Sequence, residues 1–189
     1  MKHLIIYSHL NPKSFTKAVA DEVQKVIIAK GDELKFIDLY GDKFNPVLEF
    51  ADIQYSFMGA DAPDDVKKYQ DMIDWAENII FVYPLWWSQM PAMLKGFIDR
   101  IFSNGYAYEY TETGAQGLLS GKTAHCIINA GNPNEILQKI GMDSAIKTVN
   151  ETGIFGFCGM QSKTTIFGNV AMGSNDERVQ YLNNIKNII

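Results

Sequence analysis

Short apolar runs at 4–7, 35–39, 79–83, 123–129 and 163–167 recur along the chain, separated by stretches with helical spacing. The run Ile79, Ile80, Phe81, Val82, Tyr83 shows no polar alternation and is too short for a helix of its own. It reads as a parallel strand buried on both faces. Pro84 stops it, and Pro91 stands where a first helical residue tolerates a missing backbone donor. Met93, Leu94, Phe97, Ile98 and Ile101 then share one helix face, with Lys95, Asp99 and Arg100 at its edge or outside. A helix over 15–30 turns Val19, Val23, Val26 and Ile27 inward and ends at Gly31 as a left-handed cap. Another opens at Pro63 and buries Val66, Tyr69, Met72, Ile73 and Trp75. A helix-like stretch covers 135–152 with a break near Gly141, and 176–189 closes the chain as an amphipathic helix. The segment 154–158, with 163–167, supplies the last strand or a bent pair. Between the second strand and Pro63 lies an excursion, 40–61, longer than an ordinary connection, with a weak helical pattern at Phe50, Ile53 and Phe57.

Strands alternating with helices predict one α/β domain over 1–189. The expected fold is a doubly wound five-stranded parallel sheet with helices on both faces, joined by right-handed crossovers. In the strand order 2-1-3-4-5 the ligand crevice lies between the carboxyl ends of strands one and three. The loops 8–16, 85–88 and 130–132 then surround a single hole.

Those loops carry suitable chemistry. Ser8-His9-Leu10-Asn11-Pro12-Lys13-Ser14 runs into a helix N-terminus, where free backbone donors and the helix dipole favour a phosphate. Ser14 also serves as an ordinary N-cap. The glycine patterns of an NTPase phosphate loop and of a dinucleotide fingerprint are both absent. Trp86 and Trp87 stand in a turn rather than in a strand or helix, either as a wall for a flat aromatic ligand or as a plug on the core. Tyr106, Tyr108 and Tyr110 alternate in a glycine-rich stretch poor in apolar neighbours, which reads as amphipathic wall material.

Composition narrows the classes. With 47% hydrophobic and 21% charged residues, 189 residues make a domain with a sizeable core. The net charge of −5, without a basic stripe, argues against nucleic acid. No stretch reaches membrane-span length, and the first apolar run is too short for a signal peptide, so a cytoplasmic protein is expected. Cys126 and Cys158 read as buried free thiols in strands. His3, His9 and His125 make no metal-ligand spacing, and His125 reads as a packed core or sheet-edge histidine.

The chain also resembles a known family. Ser8-His9 with Ser14-Phe15-Thr16, Asp38-Leu39-Tyr40 with Phe44-Asn45-Pro46-Val47, and Gly105-Tyr106-Ala107-Tyr108 stand in the same order as in NAD(P)H:quinone oxidoreductases of the DT-diaphorase type. So do Tyr83-Pro84-Leu85-Trp86-Trp87 and the run from Pro91 to Arg100. The resemblance implies a flavodoxin-like homodimer that reduces quinones by two electrons with NAD(P)H in a ping-pong cycle. It implies FMN, with FAD as the alternative, and assigns the chemistry to the flavin rather than to a catalytic side chain. By matched position, His9, Ser14, Phe15 and Thr16 hold the flavin phosphate end. Pro84, Leu85, Trp86, Trp87, Ser88, Asn129, Ala130, Gly131 and Asn132 line the isoalloxazine. Tyr108 and Tyr110 join the nicotinamide and quinone pocket across the dimer interface. Backbone N–H groups of Trp86, Trp87 and the Gly131 turn are expected to meet negative charge on the reduced ring. The same motifs occur in flavoprotein ancillary subunits of glutathione-gated potassium efflux systems, which implies a second reading with peripheral association to a membrane transporter. A flavodoxin-type electron carrier is a third. One departure stands out: the turn is Asn129-Ala130-Gly131 where the best-known members read Thr-Gly-Gly, and no tyrosine and histidine pair follows it.

Overall fold

Both faces of the apolar runs are covered, which is why they form strands. The computed structural model describes residues 1–189. In chain order the elements are β1 (Lys2–Tyr7), α1 (Phe15–Ala29), β2 (Glu33–Asp38), α2 (Phe50–Met58), α3 (Asp64–Trp75), β3 (Asn78–Pro84) and α4 (Ala92–Ile101). They continue with β4 (Tyr108–Thr111), β5 (Gly114–Gly117), β6 (Thr123–Asn129), α5 (Asn134–Lys139), α6 (Met142–Lys147) running into a π-helical segment (Thr148–Gly156), β7 (Gln161–Phe167) and α7 (Asn175–Ile188). The main sheet has the order β2-β1-β3-β6-β7 with every pair parallel, which is the expected 2-1-3-4-5 arrangement. Leu4, Ile6, Phe81, Tyr83, Cys126 and Ile128 face α3, α4 and the π segment. Ile5, Tyr7, Ile80, Val82 and Ile127 face α1 and α7 through Val19, Val23, Ile27 and Ile185. Burial on both faces replaces the polar alternation of a one-sided sheet. No helix is long and apolar enough to cross a membrane.

Four expectations change. The segment 154–158 is not a strand: Ile154 to Gly156 complete the π segment, and Cys158 sits in the following turn, buried and free like Cys126. Tyr106 is not wall material, because its hydroxyl lies 3.0 Å from the Gln70 carbonyl and 2.9 Å from the Asp74 carboxylate, against α3. The excursion does contain a helix, α2, but its face is reversed. Phe50 and Phe57 point to solvent while Asp52 is buried. The cause is the fourth correction, Arg100, which is not at the edge of α4 but 3% exposed. It donates to both carboxylate oxygens of Asp52 (2.9 and 3.1 Å), to Asp65 (2.6 and 3.2 Å) and to the Asn45 carbonyl (2.9 Å). A buried guanidinium needs these acceptors, so α2 turns its acid inward and its aromatic rings outward. One turn earlier, a β-carbon on Gly96 would lie 2.1 Å from the Pro46 carbonyl oxygen, so only glycine lets the excursion seat on α4.

Arg100→Leu leaves Asp52 buried without its partner and is expected to cost about 3–5 kcal/mol in urea unfolding. Arg100 holds the Asp65 carboxyl below the usual carboxylate range, so its contribution is complete above the ordinary pKa of about 4 and fades as pH falls through the lowered value. Asp65→Asn should therefore lower Tm at neutral pH, and the gap to the native protein should close as pH falls through the lowered Asp65 pKa. A gap that stays constant on acidification would contradict the pairing.

Candidate ligand site at the carboxyl edge of the sheet

The strand ends are level, and the first residue of each loop is tied to the neighbouring strand. Ser8 N–H donates to the Val82 carbonyl (3.1 Å), Leu85 N–H to Asn129 (2.8 Å), and Ala130 N–H to Phe167 (2.8 Å). Loops distant in sequence thus leave the sheet side by side. His9 and Trp86 meet across the gap between β1 and β3, their ring centroids 5.7 Å apart.

In the first loop the His9 Nδ1 accepts the Asn11 N–H at 2.9 Å. The neutral ring therefore carries its proton on Nε2, free to donate to a ligand. Burial pushes the His9 pKa down, which favours that neutral form. Ser14 caps α1 by accepting the Lys17 N–H at 3.1 Å, which leaves its hydroxyl proton available. Backbone N–H groups of His9, Leu10, Phe15 and Thr16 have no acceptor within the protein. At a helix N-terminus such donors suit a phosphate.

The second loop is a two-residue reversal in which Trp86 and Gln89 exchange backbone hydrogen bonds at 3.0 Å. Its central residues, Trp87 and Ser88, both have positive φ, 52° and 62°, in a turn that normally selects Asn or Gly. Strain of about 1–3 kcal/mol per residue tends to gather where a ligand is held. The Trp86 N–H is consumed by the reversal, so of the donors expected there only Trp87, joined by Ser88, stays free. Neither tryptophan plugs the core: Trp87 is fully exposed and Trp86 is 37% exposed.

In the third loop Ala130 is buried, while Gly131 and Asn132 keep free N–H groups. Asn129, at the end of β6, is buried with both side-chain polar atoms lacking partners, as is the Ser8 hydroxyl. A further strap went unnoticed in sequence. Asn169 and Val170, after β7, donate to the Asn132 and Ala130 carbonyls at 2.9 and 3.0 Å and fix this turn. The signal was Gly168-Asn169 directly after a strand, and Asn169 has φ 58°.

Tyr108 and Tyr110 do not join these loops within one chain. They lie on the β4–β5 hairpin, where Tyr108 packs on Phe157 at 5.0 Å and Tyr110 is mostly exposed. His125 is a packed histidine with Thr165 Oγ1 2.9 Å from its Nε2, and burial, helped by Lys163, pushes its pKa down to about 3. A cavity of about 360 Å³ opens at the opposite, amino end of the sheet beside His3, His125 and Ile189, and is separate from this mouth.

A family model described as flavodoxin-like fold matches residues 1–189. The chain belongs to this family, Flavodoxin_2. An "uncharacterized NAD(P)H oxidoreductase" of Haemophilus influenzae is 34% identical over 90% of this chain and 85% of its own length. The "NAD(P)H dehydrogenase [quinone] 1" of Cavia porcellus is 29% identical over 84% of this chain, which spans 64% of that protein. The solved NAD(P)H:quinone oxidoreductase from Methanothermobacter marburgensis superposes with a TM-score of 0.89 at 27% identity, covering 99% of this chain and 94% of that one. The unpaired donors at 9–16 have the chemistry to hold a phosphate, and those at 87–88 and 131–132 stand at the same open rim.

Thr16→Val keeps the buried volume and removes one hydroxyl. It is expected to weaken flavin binding roughly fivefold to tenfold with little change in Tm, a loss of about 1 kcal/mol or slightly more. Trp86→Ala should also weaken binding, and flavin fluorescence titration measures both. Unchanged affinity in the two variants would separate these loops from the cofactor.

Proposed function

We propose that the chain is a flavin-dependent NAD(P)H:quinone oxidoreductase. The carrying observation is the convergence of three loops with unpaired donors at one rim, in a chain whose relatives bear oxidoreductase names. The cofactor in this reading is FMN, whose terminal phosphate suits the donors of His9, Leu10, Phe15 and Thr16. Bound there, a flavin supplies two-electron exchange between reduced nicotinamide and a quinone at one face. The protein's own part is placement and charge. His9 would donate from Nε2, Ser14 from its hydroxyl, and the strained Trp87-Ser88 turn would offer two N–H groups to the ring. These amide donors, with those of Gly131 and Asn132, would meet negative charge on the ring. A single open mouth shared by nicotinamide and quinone would give ping-pong kinetics.

The reading includes a homodimer. Val47, Leu48, Phe50, Phe57 and Met58 are all exposed on the excursion, five large apolar side chains within twelve residues. A second copy would cover them and bring Tyr108 and Tyr110 to the other chain's substrate face. Use of nicotinamide coenzymes fits a cytoplasmic setting. Neither the electron-carrier reading nor the transporter-subunit reading explains these exposed side chains together with a donor-lined open mouth as directly.

Initial rates with NADPH or NADH varied against menadione should give parallel double-reciprocal lines, and size-exclusion light scattering should give twice the chain mass. Phe57→Glu should shift that mass to one chain and raise the quinone KM. Absence of quinone reduction with either nucleotide by flavin-loaded protein would contradict the enzyme assignment.

A further inference from the structure

The segment from Met142 to Gly156 changes its winding partway. Its inward residues are Ile146, Asn150 and Phe155, spaced by four and then five. In an α-helix a step of five leaves the face; in the π segment it stays on it. The sequence allows this at Gly156, where a β-carbon would lie 2.5 Å from the Glu151 carbonyl oxygen. That carbonyl instead accepts the Ser162 hydroxyl of β7 at 3.1 Å.

The change of winding lets one helix seat two side chains on β3. Phe155 packs on Phe81 with centroids 4.7 Å apart, and Asn150 Nδ2 donates to the Tyr83 hydroxyl at 3.1 Å. Phe81 and Tyr83 are two apart on one strand and point the same way. Burial drives the Tyr83 pKa well up, so the side chain stays a neutral phenol. Tyr83 directly precedes Pro84 and the Leu85–Ser88 loop. The cleft between that loop and Ile146, Val149 and Asn150 holds only about 10 Å³, one water at most.

The geometry points to Asn150 as a positioning residue for the flavin-facing turn: through Tyr83 it fixes the height and pitch of residues 84–88 relative to the β1 loop. This inference rests on the flavin reading above. A purely apolar contact would fill the same space without fixing the phenol's direction, whereas a buried amide-to-phenol bond selects one arrangement. The π segment is thereby tied to ligand geometry and not only to packing.

A double-mutant cycle with Asn150→Leu and Tyr83→Phe separates the two roles, because removing both polar partners restores a satisfied core. Apoprotein Tm and FMN dissociation constant are read for all four proteins. Asn150→Leu should lower Tm and weaken FMN binding about tenfold. In the double variant Tm should return to near the native value while FMN binding stays about tenfold weaker and the nicotinamide KM stays raised. FMN affinity that recovers together with Tm, or that never changes, would overturn the inference while leaving the flavin reading intact. Native protein that takes up no flavin would overturn that reading and this inference with it.

Discussion

Level strand ends hold the site together. Tyr7 lies beside Val82, Val82 beside Ile127 and Ile127 beside Thr165, so four strands reach the same rim. Each loop's first N–H is then committed to the next strand's carbonyl, which extends the ladder one residue past the sheet. Slipping one strand by a single residue would turn its apolar set to the other face, so the register is fixed by both cores at once. Mouth geometry is thus a consequence of core packing rather than of loop preference.

What lies beyond the ladder is deliberately unsatisfied. Buried polar groups nearly always find partners, yet Ser8 and Asn129 do not, and Trp87 and Ser88 adopt backbone angles suited to glycine. Unpartnered buried atoms also occur singly at His3, Asn104 and Thr164, but these four departures share one edge. Elsewhere buried charge is closely paired, as at Arg100, and a close approach is relieved by a glycine, as at Gly96. A chain that satisfies itself so fully in one place and so poorly in another marks the second place as the one a ligand completes.

Much of this was legible in the residues. The run 79–83 reads as a two-faced strand because nothing in it is polar, and Gly31 reads as a cap because it follows a helical face. The three loops were placed from strand order alone. What sequence could not give were effects that depend on a distant partner. Asp52 lies on the buried face of α2 only because Arg100, 48 positions later, is buried beneath it. Apolar periodicity pointed Phe50 and Phe57 the wrong way for that reason. The π winding was hidden because 154–158 is as apolar as a strand, and only the step from Asn150 to Phe155 betrays it. Tyr106 was misread because its acceptors lie on α3 rather than nearby, and the Trp86–Gln89 reversal has none of the residues such a turn prefers.

The central claim is that this rim holds one flavin per chain. Stripping the protein of any bound small molecule, offering FMN and FAD in separate dialyses, and recording the visible spectrum and released cofactor mass tests it most directly. The expected result is a yellow protein with about one FMN per chain, a stoichiometry set by one mouth per sheet. A protein that remains colourless with both flavins in excess would contradict it.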